Sequence, residues 1–497
     1  MQRFSLLIDR RLSPYLVGAL GSLLLSFWYV RLAGVVNQDG VLYLLAAQGD
    51  VQSATSLGNW IFYSHLIRGV SWITGWAAEH AAWLVNGLLD LLLVLAFVRL
   101  VEELGGNRRT QWLGVLAVLV LPYLNDNRAE IIRDHGYWAF SLVALVCYLR
   151  LFRRFSWGWL LGWYGAMGLA TLFRVEGAAF VALMPLGLLL RPVPWRRRIL
   201  EMGLAYLPLG LAAGLVAGFR PDLLQGNRLG TTLVNGVTFL GKAFVEGPSA
   251  RAGELQQLLS PYYSHGTALL VIWFAAAVDI LKDLAKALSW PFFLVLLLRR
   301  WFPAPGLPAE YRRVLLAYGG VSLLVLLFQE MRSFIMVSRY AMALALALLP
   351  VVVFALEALW RRYESGWVGR GLAGLVVFAI VVLAADSLIE SPDRKGYLAA
   401  AGRWMAGHLP ESARIVADKE WLRLTYYANE RKPGPRQVER FDPSVTPLED
   451  YHYAVVVDPG SDLAKALEAG GAIRIYGMQA SKDRKVSFYR LGASHGG

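Results

Sequence analysis

Long apolar runs, repeated along the chain and separated by short basic loops, constrain this sequence more than any other feature. The first, from Leu12 to Val36, is almost unbroken and long enough to cross a hydrocarbon core of about 30 Å. Comparable runs recur as far as Ala385. Inside lipid a backbone must satisfy its own polar groups, so such runs are helices that span or line a membrane. Hydrophobic residues make up 56% of the 497, and the mean hydropathy is +0.45, which places the chain among polytopic membrane proteins.

The net charge of +13 is not a nucleic-acid signature. The basic residues sit in short loops: Arg10-Arg11, Arg108-Arg109, Arg153-Arg154, Arg196-Arg197-Arg198, Arg299-Arg300, Arg312-Arg313 and Arg361-Arg362. That distribution follows the positive-inside rule, and the 18 Trp and 22 Tyr suit a protein with many interfacial helix ends. The single cysteine, Cys147, lies in an apolar run and excludes an intramolecular disulfide. The opening apolar segment is too long for an ordinary signal peptide and reads as a retained signal-anchor in the cytoplasmic membrane.

With a cytoplasmic N-terminus the spans can be counted against these loops. The first exits to the outer face and opens a long loop from Asn37 to about His80. Two short interfacial helices are expected there, around Trp60–Tyr63 and Ile67–Ile73. Further spans are expected near Ala82–Val101, Trp112–Leu124, Tyr137–Phe152, Gly158–Phe173, Ala178–Leu190 and Leu200–Phe219. Leu233, Val237, Leu240 and Phe244 recur at helical spacing in a second long outer loop. Between Thr267 and Leu298 the charge rule favours one span near Ala287–Leu298, preceded by an interfacial or re-entrant helix. Spans at Val314–Phe328, Tyr340–Trp360 and Val368–Ala385 bring the total to about eleven and leave the C-terminus outside.

From Ser391 the composition changes. An amphipathic helix (Tyr397, Ala401, Trp404, Met405, Leu409) precedes short apolar strands at Ala413–Ala417, Tyr453–Val457, Ile473–Tyr476 and Val486–Tyr489. Ser461-Asp462 begins a helix that Gly470-Gly471 ends. The expected organisation is therefore a membrane domain over 1–390 and a small extracytoplasmic α/β domain over 391–497. The latter has neither a dinucleotide fingerprint nor a Walker loop.

The chemically pointed residues fall on the outer side: Asp39, the loop Arg128–His135, the turn Arg174-Val175-Glu176-Gly177, and the stretch from Arg332 to Arg339-Tyr340. Arginines beside spans are unusual on that face, so Arg128, Arg133, Arg174, Arg332 and Arg339 call for anionic partners. A guanidinium matches two phosphate oxygens at once. A carboxylate among them could remove a proton or hold a metal. The plainer alternatives are helix capping by Asp39 and ion pairs such as Arg133 with Glu130 or Arg174 with Glu176. His65, His135 and His265 form no helical metal motif and read as structural. Asp90, in mid-span, is a functional candidate unless Asn86 or a neighbouring helix satisfies it.

These features resemble the GT-C superfamily of polytopic glycosyltransferases, the group that holds protein O-mannosyltransferases and lipid A aminoarabinose transferases. The resemblance rests on Asn37-Gln38-Asp39-Gly40 opening the first outer loop and on Arg133-Asp134-His135-Gly136-Tyr137. It rests also on Phe173-Arg174-Val175-Glu176-Gly177, on Ser338-Arg339-Tyr340, and on the outer C-terminal domain. It implies transfer of a sugar from a polyprenyl-phosphate donor to an envelope glycan, lipid or protein. Asp39 would be the acceptor base, Asp134 the second acidic position, and Arg339, Arg174, Arg332 and Arg133 the phosphate ligands. Glu176, Glu130, Tyr340 and His135 would support them. Many relatives pair two acidic residues in the first loop; here Gly40 follows Asp39, which leaves use of a divalent metal open. No other cofactor is implied.

Two other classes share part of this pattern. A glycan ligase or polymerase would use the same lipid-phosphate chemistry. A lipid-linked-sugar transporter would need repeated halves and broken midplane helices, and no such repeat is present in the sequence.

Overall fold

In the computed structural model, residues 13–219, 236–258, 264–298, 307–363, 367–389, 395–481 and 484–491 are described. Leu233, Arg10-Arg11, Arg299-Arg300 and the 390/391 boundary lie outside them. The chain divides into two compact units. One comprises 1–27, 86–128 and 133–390; the other joins 28–85 and 129–132 to 391–497.

The elements begin with α1 (Pro14–Leu32), α2 (Gln38–Ala47), α3 (Val51–Ser56), α4 (Phe62–Thr74) and α5 (Ala78–Glu103). Next come α6 (Arg108–Leu119), α7 (Pro122–Asp126), α8 (Asp134–Arg153), α9 (Trp157–Phe173) and α10 (Gly177–Leu183). Then follow α11 (Trp195–Phe219), α12 (Gly236–Gly241), α13 (Gly247–Leu258), α14 (His265–Leu288) and α15 (Trp290–Leu298). The helices of the first unit end with α16 (Ala309–Ser333), α17 (Ser338–Tyr363) and α18 (Trp367–Ile389). Among the described residues, five helices are long and apolar enough to cross a membrane: α1, α5, α8, α16 and α17, the last over Ser338–Arg361.

The first unit is organised around α17, which is buried over 94% of its apolar window and touches α6, α8, α14, α15, α16 and α18. Several expected spans take a different form here. The run Trp112–Leu124 is cut at Val120 because Pro122 starts a new helix and holds Leu121 extended. Ala178–Leu190 is a seven-residue helix continued by a 3₁₀ segment that begins at Met184-Pro185. In the Thr267–Leu298 region the break falls at Ser289, whose φ of +65° ends the 24-residue α14 and starts the nine-residue α15.

The second unit contains the first loop and the C-terminal segment. The two short helices expected at Trp60–Tyr63 and Ile67–Ile73 are one, α4, and the shorter α2 and α3 precede it. Trp60 precedes α4 and is not part of it. Helix α4 buries Tyr63, Ser64 and Ile67 and exposes Trp72 and Ile73, the pattern of a helix lying in a membrane interface.

The C-terminal elements are α19 (Gly396–His408), β1 (Ile415–Ala417), α20 (Trp421–Ala428), β2 (Val438–Arg440), β3 (Tyr453–Val456), α21 (Asp462–Ala469), β4 (Ile473–Ser481) and β5 (Arg484–Arg490). The sheet order is β2-β1-β3-β5-β4, parallel across β2-β1-β3 and antiparallel beyond. Alternate residues face opposite sides. Ile415, Ala417 and Val455 pack with Leu398, Met405 and Leu424 of α19 and α20, whereas Val416, Ala454 and Val456 pack with Leu463 and Leu467 of α21. Ser461 caps α21 by accepting from the Ala464 amide at 3.2 Å. Strand β2 and helix α20 were not expected from the sequence, being only three and eight residues long.

Candidate functional site

In the first unit, α8 and α9 are sequence neighbours joined by a short basic turn, so the end of α9 lies beside the start of α8. This brings Arg174, the residue that ends α9, to Asp134 in the first turn of α8. A Cβ at Gly136 would run into the Phe173 ring, so the two helices can approach this closely only with glycine there. Arg174 Nη1 donates to Asp134 Oδ1. Its opposite edge donates to Glu176, from Nη2 to Oε1 at 2.6 Å and from Nε to Oε2 at 3.3 Å. The guanidinium also lies 4.4 Å from the ring centre of Tyr340 and 5.7 Å from that of Tyr137.

Burial pushes the Glu176 carboxyl up, but Arg174 and then Arg133 outweigh it and hold it at about 2. For Arg174, burial works against the charge, and Asp134 with Glu176 raise its pKa well above the ordinary value. The ion pair of Arg174 with Glu176 is thus present, and the guanidinium expected to serve a phosphate is engaged by two carboxylates.

Arg339 stands in the first turn of α17, next to Tyr340, with its guanidinium 5.7 Å from that ring. Its carbonyl accepts from Trp138 Nε1 at 3.3 Å, so α8 and α17 begin side by side. Two helix N-termini, each carrying partial positive charge, therefore meet where Arg133 and Arg339 stand. Ser338 Oγ donates to the buried Asp283 of α14 at 2.5 Å. Burial raises the Tyr123 hydroxyl to about 12, opposed by Arg339 and reinforced by Asp134, which places Tyr123 among the same charges. Arg332 is exposed in the last turn of α16.

His135 turns away from this cluster. Its Nδ1 meets Asp90 Oδ1 at 2.7 Å and its Nε2 meets the Asn127 carbonyl at 3.1 Å. Arg128 Nη1 reaches Asp90 Oδ2 at 3.5 Å, Ser22 Oγ at 3.2 Å and Ser26 Oγ at 2.8 Å. Asp90, Arg128 and His135 are all buried. The mid-span carboxylate and one of the expected anion-seeking arginines thus satisfy each other.

In the second unit, Asp39 is half-buried in the first turn of α2. It is not the cap, since Asn37 occupies that position. The Asn37 side chain accepts from the Ile131 amide at 2.8 Å and donates to the Ile131 carbonyl at 3.4 Å. Gly40 is buried, and a Cβ there would stand 2.5 Å from Asn37 Oδ1 and 2.9 Å from Ile131 Cβ. A second carboxylate directly after Asp39 has no room. Glu130 is half-buried in this unit. Among the described residues no group of three or more Asp, Glu, His or Cys side chains is arranged to hold a metal ion.

No protein-family model matches the sequence, and no curated protein aligns with it significantly. Solved structures do match. ArnT from Cupriavidus metallidurans, bound to undecaprenyl phosphate, overlaps 96% of this chain and 98% of its own length at 14% identity and a TM-score of 0.50. An Archaeoglobus fulgidus oligosaccharyltransferase tethered to an acceptor peptide overlaps 86% of this chain and 63% of its own length, at 13% identity and a TM-score of 0.50. The fold is that of the GT-C glycosyltransferases.

In the GT-C fold built by this chain, each quoted motif lies at a helix end. Asn37–Gly40 opens α2, Arg133–Tyr137 opens α8, Phe173–Gly177 links α9 to α10, and Ser338–Tyr340 opens α17. Sequence reasoning missed Tyr123 and Asp283, and quoted Ser338 in its motif without a contact to assign to it. Asp283 was legible as a carboxylate inside the apolar stretch after Thr267; nothing marked Tyr123.

Proposed function

We propose that this chain is an integral-membrane glycosyltransferase that moves a sugar from a polyprenyl-phosphate-linked donor to an acceptor on the outer face of the cytoplasmic membrane. The acceptor is an envelope glycan, lipid or protein, and the 391–497 segment acts as an extracytoplasmic domain. Asp39 removes the acceptor hydroxyl proton. The acceptor oxygen attacks the anomeric carbon from the face opposite the phosphate, and the bond from that carbon to the phosphate oxygen breaks. Negative charge then collects on the departing lipid phosphate, where donors fixed in advance count most.

The observation that carries the phosphate assignment is the meeting of the α8 and α17 N-termini with Arg133 and Arg339 in attendance. Arg339 is foremost. Arg174 holds Asp134 and Glu176 in place beside it, and Arg332, being exposed, contributes least. Asp134 orients the acceptor, with Glu176 and Tyr340 completing the shell around Arg174.

The test is transfer of radiolabelled sugar from a polyprenyl-phosphate donor by the purified protein in lipid nanodiscs, with mass analysis of the product. A single added sugar supports the proposal. Transfer of a preassembled block would make the protein a glycan ligase, and donor movement across vesicles without transfer would make it a transporter.

A further inference from the structure

We propose that Arg423 and Tyr427 of helix α20 are positioning residues for Asp39. This rests on the reading of Asp39 as the acceptor base. Residues 33–37 connect α1 to α2 without helix or strand; the Ala33 N–H and the Asn37 carbonyl still bond to the flanking helices, but the backbone groups between them must find partners elsewhere. Val36 is nevertheless buried, and both of its backbone polar groups are held by side chains of α20. Its N–H donates to Tyr427 Oη at 3.0 Å, and its carbonyl accepts from Arg423 Nε at 2.7 Å. These partners are nearly 400 residues away in the chain, at separations of 391 and 387.

The next positions are fixed as well. Asn37 is tied in both directions to the Ile131 backbone. Gln38 Nε2 donates to Glu420 Oε2 at 3.1 Å. Glu420 is itself held by Arg423 Nη1 at 2.6 Å and by Lys395 Nζ at 2.9 Å. Burial pushes the Glu420 carboxyl up, but Lys395 and Arg423 bring it below its ordinary range, so it stays an acceptor for Gln38. Asp39 follows directly. The same helix also grips the far end of the loop, where Tyr426 Oη donates to the buried Glu79 at 3.0 Å, and Arg431, just beyond the helix, reaches it from Nη1 at 2.9 Å.

A domain that needed only to adhere could do so through apolar area. Here the contacts are directional and converge on the backbone just before Asp39. A base displaced by about 1 Å can cost about 100-fold in rate. The C-terminal segment therefore sets where the first loop presents its carboxylate.

The experiment uses the full chain in nanodiscs with a polyprenyl-phosphate sugar donor. Tyr427→Phe removes only the hydroxyl that accepts from Val36. Counted per folded molecule, because the stranded Val36 N–H also lowers the thermal transition, kcat is expected to fall about 10- to 100-fold with the donor KM unchanged. Arg423→Gln should do the same, and Arg423→Lys, which can still donate to the Val36 carbonyl, should recover part of the loss. On an Asp39→Asn background Tyr427→Phe should cost nothing further, because its effect passes through that carboxylate. Undiminished kcat in Tyr427→Phe, or an equal additional loss on the Asp39→Asn background, overturns the proposal while leaving the base intact. Full transfer by Asp39→Asn alone would instead remove the base and this inference with it.

Discussion

The guanidinium of Arg174 donates from one edge to the buried carboxylate of Asp134, while its face lies 4.4 Å from the ring of Tyr340. Glu176 takes the other edge, so one cation serves two carboxylates where α8, α9 and α17 come together. Removing one partner of a buried pair leaves charge without compensation, at about 3–5 kcal/mol. Arg174→Met should therefore unfold at markedly lower temperature than the parent in detergent. Arg174→Lys should lie between them, keeping the charge but losing the two-edged geometry. Equal thermal transitions for all three would contradict this assignment.

Glu176 gives the cluster a pH signature. Its folded carboxyl titrates near 2, below the ordinary value of 4.5. A depressed carboxylate stabilises fully above its unfolded value and loses that contribution as pH falls toward the folded one. Stability should thus decline between about pH 4.5 and 2, with a shallower decline in Glu176→Gln. Matching slopes in the two proteins would show that Glu176 is not strongly paired.

The Asp90–Arg128–His135 network should behave as structure. Asp90→Asn leaves Arg128 buried with a weakened partner and should cost several kcal/mol, on the order of 3–5 for a broken buried pair. Adding Arg128→Met removes the stranded charge and should recover stability. Donor affinity should stay unchanged in protein that remains folded. A selective loss of donor binding in a fully stable Asp90→Asn protein would restore Asp90 as a functional group.

Arg339 is the assigned phosphate ligand. Arg339→Lys keeps the charge and loses the planar fork. It should reduce kcat/KM for the lipid donor about tenfold or more, close to 1.4 kcal/mol of transition-state stabilisation. Arg332→Ala, at an exposed position, should change it little. The reverse order of effects would move the phosphate toward Arg332.

Helix content was legible because apolar runs in lipid leave the backbone few choices. The limits of those helices were less so. Proline at 122 and the positive φ at Ser289 break runs that composition alone reads as continuous or divides elsewhere. Outer arginines were recognisable as unusual, yet sequence could not say that Arg128 faces Asp90 across 38 residues, or that Arg174 meets Asp134 across 40. Gly40 stood out as a departure from paired acidic residues; its cause, the crowding by Asn37 and Ile131, is a tertiary fact. Helix α20 was missed because eight residues carry little periodicity, although Tyr427 and Arg423 hold the chain beside Asp39.

The central claim is that the Asp39 carboxylate takes the acceptor proton, and Asp39→Asn tests it most directly. Asn37 holds the cap position, so the change leaves the start of α2 with its existing connections. The variant should fold, insert and bind the polyprenyl-phosphate donor like the parent. Sugar transfer per folded molecule should fall by about 10²- to 10⁴-fold, the contribution of a positioned base. Near-normal transfer with normal donor binding would contradict the account and leave Asp134 as the leading base.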